Sequence, residues 1–174
     1  MPDSQGKAFQ LLVSLGASRR LLVHARLVAD AAGELLAWMD AHGVPVRTSM
    51  VRAGAVLHDA GKIAHPAELD EAGSAHEDAG EKLLLAAGVV PELARFCLSH
   101  ARYQTMQVSF EELLVALSDK LWKGKRAADL ELRVIDEAAR ALGKDRWDLF
   151  PELDACFEQV AAKGDERLAL SRIL

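Results

Sequence analysis

The sequence predicts an all-α fold, a single compact helical bundle. Three features of the chain carry that expectation. Ala, Leu, Glu, Arg and Lys dominate the composition, and these residues enter helices at least cost. Apolar residues recur at spacings of three and four, and strand-type alternation is absent. Ser, Gly and Pro fall where such helices would start and stop.

Ser18 is placed to cap a long helix over about residues 18 to 41, with Leu21, Leu22, Ala25, Val28, Ala32, Leu35 and Leu36 as its apolar stripe. Gly43 and Pro45 then stop it. Thr48 or Ser49 caps the next helix, which runs through Ala53 to Leu57. After Pro66 the stretch PAELDEAGSAHEDAG reads as short polar turns, until Ser74 and Glu77 offer a capping box for a helix reaching Ala87. Gly88 ends that helix, and Pro91 opens another, PELARFCLSHAR. Ser109 with Glu112 repeats the box before a helix carrying Leu113, Leu114, Ala116, Leu117 and Trp122. Residues 124 to 174 read as two or three amphipathic helices separated near Gly143, Pro151 and Gly164. No repeat, low-complexity segment or long linker divides the chain, so one domain over residues 1 to 174 is expected.

A chain of 174 residues with 51% apolar and 27% charged residues can bury an ordinary core, which excludes the disordered class. No apolar run approaches the roughly 20 residues needed to span a bilayer. The start, MPDSQGKAFQLLVSLG, has an early acidic residue and one lysine before a short apolar patch, which makes a poor signal peptide. A cytoplasmic protein without membrane attachment is expected. The net charge of -5 argues against a long nucleic acid as partner, while a local basic pocket can still serve a small phosphorylated ligand. Cys97 and Cys156, each flanked by apolar residues, read as two free, buried thiols.

Six polar residues stand inside apolar helical runs: His24 in LLVHARLV, His58 and Asp59 in AVLHDAG, His76 in SAHEDAG, His100 in FCLSHAR and Asp119 in LVALSDKLW. Each alone has an ordinary explanation. A histidine on an apolar face is usually a hydrogen-bonded core residue, His76 alone fits a first-turn surface position, and Asp119 has Lys120 and Lys123 to pair with. Together they are the ligand types that hold divalent transition metals, and two ions about 3.5–4 Å apart could share a carboxylate and a water. His42, at a helix end, and His65, in a loop before Pro66, stand outside this set.

The ordered pattern of His, then His-Asp, then two separated His, then Asp resembles the HD-domain superfamily of metal-dependent phosphohydrolases over about residues 20 to 126. HDAGKI followed by Pro66 is similar to the motif that names the superfamily. The resemblance implies an HD core at about 20–126 with C-terminal helices over 127–174. It makes His24 and His58 ligands, Asp59 the carboxylate bridging two ions, and Asp119 the last ligand. His76 and His100 then hold the positions of the extra ligands of two-metal members. A dinuclear centre of divalent transition-metal ions (Fe, Mn, Co, Ni or Zn) is therefore implied. The chain departs from the cyclic-di-nucleotide branch, because Ala101 follows His100 and the Gly-Tyr-Pro element is lacking.

Two such ions would lower the pKa of a water held between them, giving a hydroxide for in-line attack on phosphorus. Lys62, one helical turn beyond His58, is the first candidate for a catalytic phosphate contact beside Asp59. Arg102 and Lys123 are further candidates for binding substrate, and Lys120, Lys125 and Arg126 lie in the same DKLWKGKR run as Lys123. Arg26, two residues after His24, points away from it on a helix. The expected function is hydrolysis of a small phosphomonoester or phosphodiester, a nucleotide among the candidates. HD-type di-iron oxygenases share the ligand set and are the alternative, separable by iron content and oxygen consumption. A non-catalytic interaction module would be marked by lost ligands, and all six are present. His24→Gln tests the ligand reading. A packed core histidine would lose mainly thermal stability, whereas loss of a ligand removes metal and activity and leaves a cooperative thermal melt.

Overall fold

In a computed structural model that describes residues 5–173, the chain forms α-helices joined by short turns, with no strand among the described residues. The first four residues of the MPDSQGKAFQLLVSLG segment, and residue 174 of the expected domain, lie outside that range. Among the described residues, no helix is long and apolar enough to cross a membrane.

The apolar patch near the N-terminus is itself a helix, α1 (Gln5–Ser14), which the sequence reading does not anticipate. It buries Ala8 and Leu12 against α3 (Thr48–Leu57). Helix α2 (Arg19–Ala41) starts as its sequence predicts, with the Ser18 side chain accepting from the backbone N–H of Leu21 at 3.2 Å. Its buried residues exceed one stripe, with Leu27, Ala29 and Ala31 joining Leu21, Ala25, Val28, Ala32, Leu35 and Leu36, because α1, α3, α7 (Phe110–Leu121), α9 (Arg146–Ala161) and α10 (Gly164–Ile173) all pack on it. Leu22 is only half-buried. At the far end, Gly43 adopts φ +70°, and Val44 and Gly43 donate to Met39 and Asp40 carbonyls, so the last turn closes on itself.

Three expected helix boundaries differ. Neither Thr48 nor Ser49 caps α3: the cap position is Arg47, which makes no side-chain cap and binds Glu92 and Glu111 instead. Ser74 makes no side-chain cap for α4 (Ala75–Ala86) either, and Glu77 pairs with Arg102 rather than completing a box. Glu68 takes that place from the preceding turn, accepting from the N–H groups of Ala75 and His76 at 3.1 Å each. Pro151 lies inside α9 rather than between helices. Asp145 starts that helix upstream with a capping box, and the bond that the proline forgoes is the one to the carbonyl of exposed Trp147.

The remaining elements follow the expected order. Pro91 opens α5 (Pro91–Ala94), and a one-residue break at Arg95 separates it from α6 (Phe96–Arg102). Ser109 and Glu112 form the predicted capping box of α7. Helix α8 (Ala128–Leu142) ends at Gly143 and packs on α9. Helix α10 is tied to α2 by Glu34, which pairs with Lys163 and with the buried Arg167. One continuous apolar core runs from Ala8 to Ala161. Cys97 is buried as expected, but Cys156 is half-buried.

Close backbone crossings bring the future site together. The 3₁₀ turn Ala60–Ile63 lies directly against α4, where a Cβ on Gly61 would fall 1.8 Å from the His76 carbonyl oxygen and 2.6 Å from the Gly80 nitrogen. Gly33, in mid-α2, has nothing within 4 Å of a Cβ. Two substitutions of the same type should thus move stability in opposite directions by denaturant unfolding. Gly33→Ala should add about 0.5–1 kcal/mol through helix propensity. Gly61→Ala should cost about 1–3 kcal/mol or more, since the neighbour that must yield is backbone.

Candidate metal centre

Each of the six residues comes from a different position in the helical frame. His24 projects from the middle of α2, and His58 occupies the C-cap of α3. Asp59 is the residue between α3 and the 3₁₀ turn. His76 is the second residue of α4, His100 lies in α6, and Asp119 lies near the end of α7. Five of them are buried, and the His24 side chain is only 13% exposed. His76 is therefore not a first-turn surface residue.

The structure brings all six together around Asp59. Its Oδ2 lies 2.9 Å from His24 Nε2 and 3.5 Å from His58 Nε2. Its Oδ1 lies 3.2 Å from His76 Nε2 and 3.5 Å from His100 Nε2. Asp119 Oδ1 closes the first side at 3.6 Å from His58 Nε2. Ligand atoms of His24, His58 and Asp119 fall within 4.8 Å of one another, as do those of His58, Asp59 and His100. Such carboxyl and imidazole donors suit divalent transition-metal ions.

The centre holds polar atoms that the protein itself leaves unsatisfied. His24 Nε2, His58 Nε2, Asp59 Oδ1 and His76 Nε2 are buried and have no hydrogen-bond partner. An unsatisfied buried polar atom costs about 1–3 kcal/mol, and a divalent cation at this point would satisfy the four together, so the donor set fits one. The outer nitrogens explain the ring orientations. His58 Nδ1 sits 2.8 Å from the Ala55 carbonyl oxygen and His100 Nδ1 3.0 Å from that of Phe96, so each can donate there and leave Nε2 free to ligate. His76 Nδ1 faces the Glu68 carboxylate. His24 has no such bond, and its ring meets Trp122 edge-on with centroids 5.0 Å apart. Sequence reasoning missed Glu68, since a loop glutamate eight residues from its histidine follows no helical spacing.

Electrostatics keeps the site ionised. Burial would push the Asp59 carboxyl up, but the nearby His58, His24 and His76 rings hold it well below the usual carboxylate range. Asp119 is lowered likewise, with His58 and Lys123 overcoming burial. Burial opposes the His58 and His76 imidazolium ions, yet their carboxylate neighbours raise both. His100 is pushed down to about 4 by burial and by His58. A cation bound by these imidazoles would need their Nε2 atoms deprotonated, so its binding would be coupled to pH.

Of the cations expected to meet substrate, Lys62 Nζ lies 2.6 Å from Asp59 Oδ2 and Lys123 Nζ 4.0 Å from Asp119 Oδ2. Burial lowers the Lys123 pKa. Arg102 is committed to Glu77 at 2.5 Å and to Asp78 at 3.1 Å. Arg126 is bound by Glu131, Asp154 and Glu158, and Arg26 lies over the Phe9 ring. His42 stacks on Trp38 beside Glu152, outside the cluster.

A helical bundle with four histidines and two aspartates converging inside it is compatible with divalent metal binding. The HD-domain family matches residues 18–140, well over half of the chain, and the protein belongs to that family, which places it in the metal-dependent hydrolase superfamily. No curated protein and no solved structure matches it significantly.

Asp59→Asn keeps the shape and removes the shared charge. Metal analysis should find at least one ion lost, while the metal-free variant still melts cooperatively, because Lys62 can turn outward and the imidazoles can shed protons. An Asp59→Asn protein with the metal content and turnover of the parent would reduce the His-Asp pair to a helix end.

Proposed function

We propose that the protein is a cytoplasmic metal-dependent phosphohydrolase that cleaves a small phosphomonoester or phosphodiester, nucleotides included, at a two-ion centre. The observation that carries this reading is the division of Asp59: one carboxylate oxygen faces His24 and His58, the other His76 and His100. A carboxylate so placed is shaped to bridge two cations, with Asp119 completing the His24 side. When bound, divalent ions supply an acidified water and positive charge against the phosphoryl oxygens.

The chain's own residues supply the rest. Asp59 fixes the separation of the two halves, and the buried imidazoles exclude bulk water from between them. Lys62, reaching in from the 3₁₀ turn, is placed to hold a phosphoryl oxygen as charge builds there. Lys123, less than fully hydrated beside Asp119, is a second contact. Arg102 is held by Glu77 and Asp78, outside the six residues, whereas Lys62 and Lys123 lie against Asp59 and Asp119 of the centre itself, so the proposal rests on the two lysines. A net charge of -5 with these local cations suits a small anion rather than a long nucleic acid.

A phosphate-release screen across nucleotides and sugar phosphates with Mn, Fe, Co, Ni, Zn and Mg tests the proposal. Turnover should need one of the transition metals and fall with chelation. Lys62→Ala should lower it by roughly 10²-fold with metal content unchanged. Iron-dependent oxygen consumption without phosphate release would instead establish the oxygenase alternative.

A further inference from the structure

We infer that Glu68 is the positioning residue for the His76 side of the centre, setting how tightly that side holds its ion. The inference rests on the two-ion reading above. Glu68 sits in the 3₁₀ turn Pro66–Leu69, with its side chain 14% exposed. Its Oε2 accepts from His76 Nδ1 at 2.5 Å and from the His76 backbone N–H at 3.1 Å, and its Oε1 accepts from the Ala75 N–H. Gly73 leaves the space this carboxylate fills, since a Cβ there would fall 2.5 Å from Oε1.

The need for an outside acceptor follows from position in the helix. His58 and His100 find carbonyls three and four residues back, supplied by their own helical segments. His76 is the second residue of α4, and no helical turn precedes it. An acceptor for its Nδ1 therefore has to come from elsewhere, and the chain supplies an anion instead of a carbonyl. With Nδ1–H bound to a carboxylate, the ring presents its Nε2 lone pair to the centre, and the negative partner strengthens Nε2 as a donor. His76 Nε2 is one of the buried atoms without a hydrogen-bond partner, 3.2 Å from Asp59 Oδ1. Glu68 thus does for His76 what carbonyls do for His58 and His100, with a full charge added.

Because Glu68 also caps α4, the test has to separate positioning from helix stability. Co²⁺ titration followed by visible absorption gives stoichiometry and stepwise affinity, with no reference to turnover. The parent protein should take two ions. Glu68→Ala should weaken the step that His76→Ala abolishes by about 10–100-fold. The other step should stay within about threefold, and Glu68→Gln should fall between. Adding Ser74→Asp to Glu68→Ala gives α4 a conventional side-chain cap. Melting temperature should recover in that double variant, while the weak Co²⁺ step stays weak. Recovery of both together would make Glu68 a cap only and overturn the inference, as would parent-like affinities in Glu68→Ala. A parent protein that takes a single Co²⁺ would fail the two-ion reading itself, and the unsubstituted protein alone shows that result.

Discussion

The whole arrangement depends on one buried carboxylate. Asp59 is 2% exposed, and an isolated ion at that depth would neutralise itself or unfold its surroundings. It stays charged because helices α2, α3, α4 and α6 each aim an imidazole at it and the turn after α3 adds Lys62. The packing of those helices is in turn fixed by that convergence. A shift of one turn in any of them would move a histidine by about 5 Å and leave the anion uncompensated.

The surroundings sharpen this constraint. Leu57, Ala60, Phe96, Cys97, Leu117 and Trp122 belong to the apolar core near these residues in sequence, so little water competes for the polar atoms. In such an environment charges interact strongly, and half-satisfied networks are costly. The backbone contact at Gly61 and Gly80 has the same purpose: with Cβ atoms excluded from both residues, the turn carrying Asp59 can lie flat on the helix carrying His76. A second tight contact, Phe96 over Gly54, sets α6 against α3 and so His100 near His58.

Much of this was legible in the sequence, for identifiable reasons. Helical periodicity with Ser18 and Gly43 at its ends marks α2 to within a residue, and Ser109 with Glu112 marks the start of α7, since those boundaries depend on local chemistry. Histidines and aspartates set in apolar runs exposed the six site residues, because burying them needs a reason. What stayed hidden was non-local. The start of α4 is capped by a glutamate from the preceding turn, and α3 begins where Arg47 meets Glu92 and Glu111 from distant helices. The short apolar patch of α1 carries no cap or stop signal of its own, and Pro151 stands as the sixth residue of α9, where a proline reads from sequence as a break. Arg102 follows His100 closely enough to be a candidate substrate contact, but its partners Glu77 and Asp78 come from a helix more than twenty residues earlier.

The spread of the ligands along the chain, from residue 24 to residue 119, has a kinetic consequence. Apart from the adjacent His58 and Asp59, no two of them are local in sequence, so an unfolded chain presents no comparable chelate. An ion held by all six would be confined to molecules in which α2, α3, α4, α6 and α7 have already docked, and could not guide early collapse. An ion bound there would act afterwards as a latch: at a free concentration 1,000 times its dissociation constant, one site would add about 4 kcal/mol against global opening. With an ion bound, resistance to global opening would follow the free metal concentration, whatever chemistry the site performs.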